Sequence, residues 1–159
     1  MKIRVGFGYD VHKLADGKEL NLGGIEIPSA KSAVGHSDAD VLIHAICDAL
    51  LGAANLRDIG FHFSDKDEQY KGIDSKILLT RVVVLLKEKG YQIGNNDSTV
   101  CLQTPKVSTY IDEMRNTLSA VMDINSEDIS IKATTTEKLG FVGREDGISA
   151  YAVVLIERV

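Results

Sequence analysis

Nothing in this chain of 159 residues is built to cross a membrane or to grip a nucleic acid. No apolar run approaches the roughly 20 residues that a helical span of a bilayer needs. Basic runs are absent and the formal net charge is −5, which argues against a polyanion-binding face. Only two cysteines occur, Cys47 and Cys101, and they form no CxxC pair. Cys47 lies in an apolar helical run and Cys101 in a strand-like one, so both are expected as buried thiols of a reducing, cytoplasmic compartment. Internal repeats and low-complexity linkers are missing, and Met1-Lys2 leads straight into Ile3-Arg4-Val5 with no signal or transit segment expected. No Ser-His-Asp arrangement stands out and neither cysteine sits in an electropositive motif, so a covalent nucleophile is not expected. Gly6-x-Gly8 lacks the third glycine of a dinucleotide fingerprint and lies inside a strand.

What is present reads as one globular domain, residues 1–159, with 44% hydrophobic and 26% charged residues. Residues 2–14 alternate as a strand, and 20–28 read as a hairpin turning at Gly23-Gly24. A loop follows to Gly35, then a helix from about Asp40 to Ala54, capped by Ser37 or Asp38. Residues 57–72 are polar, aromatic and irregular, a long loop of the kind that carries function. A helix over 75–89 is capped by Asp74 or Ser75 and stopped at Gly90. Strands are expected over 91–103, 128–134 and 148–157, with a helix over 107–121 and a loop over 135–147. The pattern predicts the α+β class: a two-layer sandwich, one mixed sheet with helices on one face, in a ferredoxin-like arrangement.

Asp10-Val11-His12 places a carboxylate and an imidazole on one face of a strand. His44, on the helix that follows, can add a second imidazole. Three protein ligands leave a coordination position open, as in catalytic zinc sites. The bland alternative is three unrelated residues, and spacing alone leaves the two readings about even. Asp40, His44 and Asp48 share a helix face, so Asp40 or Asp48 could orient the imidazole, or simply be a solvated or capping acid.

Thr134-Thr135-Thr136-Glu137-Lys138 ends a strand and enters a glycine-rich loop running to Gly147. Its hydroxyls and N–H groups, with Lys132, Lys138 and Arg144, could hold phosphate oxygens, and Glu137 suits a hard divalent cation. An ordinary Thr-rich strand and turn fits equally well. Asp58 and Asp65 could accept hydrogen bonds from substrate hydroxyls or serve as turn and cap acids.

Together these segments resemble the 2-C-methyl-D-erythritol 2,4-cyclodiphosphate synthase family over essentially the whole chain. The marks are Asp10-Val11-His12, His36-Ser37-Asp38-Ala39-Asp40-Val41, Asp48 to Ala53, Asp58-Ile59-Gly60, and Lys132 to Phe141. The resemblance implies that Asp10, His12 and His44 bind zinc and that His36 and Thr135 stabilise the transition state. It implies that Asp10, His12, His36, Ser37, Asp58, Ile59, Gly60, Phe63 and Asp65 line the diphosphate and erythritol end. Thr104, Pro105, Lys106, Thr134, Thr136, Phe141 and Arg144 would hold the cytidine diphosphate end, with Thr135 between. Glu137 would ligate a second divalent ion, Mg or Mn. The implied assembly is a homotrimer with sites between neighbouring subunits, and the implied substrate is linked to cytidine diphosphate. Against the family's common pattern, Ala39 replaces Gly, Ser64 replaces Pro, Lys66 replaces Thr and Asp146 replaces Glu. A zinc phosphoesterase using metal-bound water and a nucleotide-binding module are the competing readings.

Overall fold

The computed structural model describes residues 2–159. Strand β1 (Ile3–Asp16) is followed by a small antiparallel hairpin, β2 (Glu19–Leu22) and β3 (Ile25–Pro28), and by β4 (Lys31–Val34). Helix α1 (Val41–Ala53), a single turn α2 (Ile59–His62) and helix α3 (Ser75–Glu88) lead to β5 (Tyr91–Cys101). Helix α4 (Ile111–Met122), β6 (Ile129–Thr134), a second single turn α5 (Gly140–Gly143) and β7 (Gly147–Arg158) complete the chain. The main sheet runs β4-β1-β7-β5-β6. β5 and β6 are parallel and the remaining pairs antiparallel, so the sheet is mixed. The α+β class, the mixed sheet and the one-sided helical layer are those expected from the sequence.

Three stretches expected as irregular hold short elements. The segment before Gly35 contains β4, which pairs with the far end of β1 (Lys13 to Asp16) and closes one edge of the sheet. Four residues have too short an alternation to signal a strand by themselves. The loop after residue 57 contains α2, and the loop after residue 135 contains α5.

The core lies between the sheet and α1, α3 and α4. Leu42, Ile43, Ile46, Leu50 and Leu51 of α1 are fully buried, packed with Leu79, Leu86, Met114, Leu118, Ile148 and Ile156. Helix α1 comes so close to β1 that glycine is obligatory there. A Cβ on Gly6 would stand 1.9 Å from the Ala49 carbonyl oxygen, and one on Gly8 would stand 1.9 Å from that of Ala45. These glycines serve packing of helix on strand. The opposite face of the sheet carries exposed Val5, Phe7, Tyr9, Val11, Tyr151 and Val153, an unpartnered apolar surface. No helix is long and apolar enough to cross a membrane.

Candidate metal centre and its cavity

Asp10 and His12 leave β1 toward the helical layer, and His44 descends from the first turn of α1. The ladder sets Asp10 opposite Ala150 and His12 opposite Ile148, small or buried neighbours that leave room above the strand. His12 Nε2 lies 2.9 Å from Asp10 Oδ2, His44 Nδ1 lies 3.1 Å from the same oxygen, and the two ring nitrogens are 3.1 Å apart. Among the described residues this is the one group of three or more such side chains whose ligand atoms lie within 4.8 Å of one another. Glu137 is exposed and belongs to no such group.

The donor set fits a cation. His12 Nδ1 faces the Val34 carbonyl at 3.2 Å, which can only accept, so in the neutral ring the proton resides on Nδ1 and Nε2 presents a lone pair. Two imidazole nitrogens and a carboxylate oxygen thus converge at spacings close to the ~3.3 Å expected between ligands of a tetrahedral zinc. Without a cation, a proton must separate them. Burial works against charge on Asp10, but the hydrogen bonds and charges of His12 and His44 outweigh it and hold its carboxyl down to about 2. Burial likewise works against the His12 imidazolium, yet the Asp10 carboxylate raises its pKa above the ordinary value.

A cavity of about 380 Å³ opens over the trio, lined also by His36, Ser37, Ile59, Gly60, Phe63 and Asp65. Tyr70 and Leu78 complete its wall, and neither was singled out from sequence. Only the aromatic character of the 57–72 stretch hinted at Tyr70, and Leu78 reads as ordinary helix core. Asp58 caps α2, accepting from Phe61 N–H at 2.9 Å. His36 Nε2 donates to the Asp67 carbonyl at 3.1 Å, tying the cavity rim to the following loop.

Of the two readings left open for Asp40 and Asp48, the structure takes the structural one, and the cap of α1 expected at Ser37 or Asp38 is corrected. Neither Asp40 nor Asp48 orients His44. Asp40, fully buried, is itself the cap of α1 in place of Ser37 or Asp38, and it accepts from Ile43, Gly23 and Gly24 N–H groups. Desolvation raises its pKa, partly offset by those donors. Asp48 accepts from Ile59 N–H at 2.8 Å and so anchors α2. His44 Nε2 instead faces Ser75 Oγ at 2.9 Å and Ser37 Oγ at 3.1 Å. A hydroxyl 31 residues away leaves no periodic signal in sequence.

The remaining predicted residues gather elsewhere. Thr134, Thr135, Pro105 and Lys106 line a second cavity of about 230 Å³ that shares no lining residue with the first. Thr104 hydrogen-bonds the Glu145 carboxylate, and Arg144 Nε donates to Asp146 at 3.0 Å. Thr136 donates to the Leu139 carbonyl at 2.6 Å, and Phe141 packs beside Gly147. Glu137 and Lys138 both adopt left-handed backbone, φ 53° and 61°, turning the Thr-rich strand into α5. Of the cysteines, Cys47 is buried and Cys101 half-buried; both are free, and burial pushes the Cys47 thiol well above its ordinary pKa.

A mixed sheet with one helical layer, carrying a two-histidine, one-carboxylate cluster in a cavity, defines an α+β protein with the makings of a metal-dependent catalytic site. The chain belongs to the YgbB family, whose model matches residues 3–157. It is 65% identical over 159 residues to the 2-C-methyl-D-erythritol 2,4-cyclodiphosphate synthase of Bacteroides fragilis (strain YCH46), with 100% of both chains covered. Among solved structures, the IspF CDP complex of Plasmodium falciparum matches with a TM-score of 0.86 and 37% identity, covering 98% of this chain and 96% of that one. The bifunctional IspDF from Campylobacter jejuni matches with a TM-score of 0.96 and 37% identity over 99% of this chain, which spans 43% of that longer protein.

Proposed function

We infer that the chain cyclises 4-diphosphocytidyl-2-C-methyl-D-erythritol 2-phosphate to 2-C-methyl-D-erythritol 2,4-cyclodiphosphate with release of CMP. This is a lyase reaction at phosphorus, in the non-mevalonate route to isoprenoids. The observation that carries the reading is the Asp10–His12–His44 cluster in a cavity of a chain that the family model matches over residues 3–157.

In this reaction the 2-phosphate attacks the diphosphate phosphorus nearer the erythritol. One P–O bond forms there and the bond to the leaving CMP breaks. The attacking oxygen is already anionic near neutral pH, so no general base is needed. Positioning and electrostatics dominate such transfers. Asp10, His12 and His44 would hold zinc, and Glu137 would offer its carboxylate to a second divalent ion (Mg or Mn); such ions would supply Lewis acidity and charge neutralisation. Ser37, Asp58, Ile59, Gly60, Phe63 and Asp65 orient the erythritol diphosphate, and His36 lies beside the reacting group. Thr104, Pro105, Lys106, Thr134, Thr136, Phe141 and Arg144 take the cytidine diphosphate end. Thr135 donates to the charge that develops as CMP leaves; one preorganised donor is worth about 3–4 kcal/mol.

A homotrimer completes the reading. The two cavities of one chain share no lining residue, while one bent substrate must reach the features of both. Apposing the metal cavity of one subunit with the Thr-rich cavity of a neighbour resolves this, and the apolar sheet face offers a surface to bury against other copies. Two free cysteines suit a cytoplasmic enzyme.

The test is incubation with the cytidine-linked substrate in ¹⁸O water, followed by ³¹P NMR. A cyclic diphosphate free of solvent oxygen, appearing with CMP, is expected. A linear phosphate product carrying ¹⁸O identifies a phosphoesterase instead, and saturable CDP binding with no product identifies a binding module.

A further inference from the structure

We propose that Ser75 and Asp38 are positioning residues of the metal centre, holding His44 in the one tautomer that turns a lone pair on Nδ1 toward Asp10 and His12. The inference rests on the metal-centre reading and extends it to two residues outside the ligand trio.

The polarity of the hydrogen-bond chain follows from what each group can do. Asp38, between β4 and α1, presents a carboxylate, an acceptor only. It receives the Ser75 backbone N–H at 2.9 Å, the Asp40 N–H at 3.2 Å, and the Ser75 hydroxyl at short range. Ser75, the first residue of α3, is fully buried, so its hydroxyl has no water to turn to. Its single proton is given to Asp38; the reverse would leave two oxygens facing each other with no hydrogen between them. The Ser75 oxygen is then an acceptor, and the group before it is His44 Nε2 at 2.9 Å. His44 Nε2 therefore carries the proton and Nδ1 is bare, 3.1 Å from Asp10 Oδ2 and 3.1 Å from His12 Nε2. Metal-bound imidazoles are commonly fixed by a second hydrogen bond of this kind, usually to a carboxylate or carbonyl. Here a serine relays the carboxylate's pull.

The same chain leaves Ser37 free. Its oxygen stands 3.1 Å from Nε2 and takes the Ala39 N–H at 3.3 Å, but the His44 proton is engaged by the nearer Ser75. The Ser37 hydroxyl proton is thus available to a phosphate oxygen in the cavity it lines.

Ser75→Ala and Asp38→Asn test this by zinc affinity, measured by competition with a chromophoric chelator, and by ¹⁵N NMR of the His44 ring in the metal-free protein. Ser75→Ala should weaken zinc about ten- to hundredfold and let His44 populate both tautomers. Asp38→Asn keeps the shape but can donate to Ser75, which reverses the chain and puts the proton on Nδ1; its loss should be the larger. Zinc affinity within twofold of wild type in both variants, each folded by circular dichroism, overturns the proposal while leaving the metal centre intact. A wild-type protein that binds no zinc overturns the metal-centre reading itself.

Discussion

Gly8 of β1 lies against the Ala45 carbonyl of α1 so closely that a Cβ would stand 1.9 Å from the oxygen. The residue next to Ala45 is His44, and two residues beyond Gly8 is Asp10. The absence of one methyl group on the strand is what lets helix and strand bring those two ligands within 3.1 Å. Gly8→Ala must push the helix away or bend the strand. Such overpacking costs about 1–3 kcal/mol, and here the obstacle is backbone, which cannot rotate aside. The expected result is a lower urea midpoint together with weakened zinc binding. A variant as stable as wild type would show that α1 slides freely over β1.

The cluster makes a direct prediction about metal. Asp10→Asn or His44→Ala should lose zinc and turnover together, read by metal mass spectrometry and a CMP-release assay. His44 is buried and bonded to Ser75, Ser37 and Asp10, so circular dichroism must show the His44→Ala variant folded, while Asp10→Asn keeps the size of the side chain it replaces. Full activity in a zinc-free variant overturns the assignment.

Without metal, the same groups set a pH window. Asp10 in the folded protein titrates near 2, below the ordinary 3.8, so its contribution is present above 3.8 and is lost as pH falls toward 2. His12 is shifted upward from 6.5, so its contribution is full below 6.5 and is lost as pH rises through the raised value. The Asp10–His12 pair should therefore stabilise the metal-free protein most between those limits. Asp10→Asn should flatten that maximum in a series of urea melts across pH. Zinc binding, which displaces the His12 proton, should tighten as pH rises over the same upper limb.

Much of this arrangement was legible before any coordinates. Asp10 and His12 share a face because a strand repeats every two residues, and α1, α3 and β6 announced themselves by periodicity. What stayed hidden depends on contacts between distant segments. β4 exists because the end of β1 is there to pair with it. Ser75 reaches His44, and Val34 reaches His12, only once α3 and β4 have docked. Asp40 could be read as a capping acid, but not as a fully buried one, which it becomes because three backbone N–H groups converge on it. Ala39, where the family commonly has Gly, was noted as a departure; its φ of 60° supplies the reason glycine suits the position.

A substitution at Thr135 tests binding apart from catalysis. It lines the second cavity and its hydroxyl is exposed, accepting only a long contact, 3.3 Å, from Glu137 N–H. Thr135→Ala should lower kcat far more than it raises KM, because a donor to developing charge acts in the transition state. Equal loss in both, or in KM alone, marks a ground-state contact.

Asp48 supplies the last prediction, and it concerns a residue outside the cavity. Its carboxylate, partly buried and raised in pKa by that burial, accepts the Ile59 N–H that starts α2. α2 in turn presents Ile59 and Gly60 to the cavity. Asp48→Ala removes one hydrogen bond, about 1 kcal/mol, from an element only a single turn long, leaving the packing of Ile59 on the core to hold its first residue. The turn should open more often, and the closed, substrate-ready state should be less populated. That appears as a rise in KM of at most about fivefold, since each 1.4 kcal/mol is tenfold. Zinc affinity should change much less, because Asp48 makes no hydrogen bond to the trio and acts on Asp10 and His44 only through its charge. A matching fall in zinc affinity would mean that Asp48 supports α1 itself rather than the turn beside it.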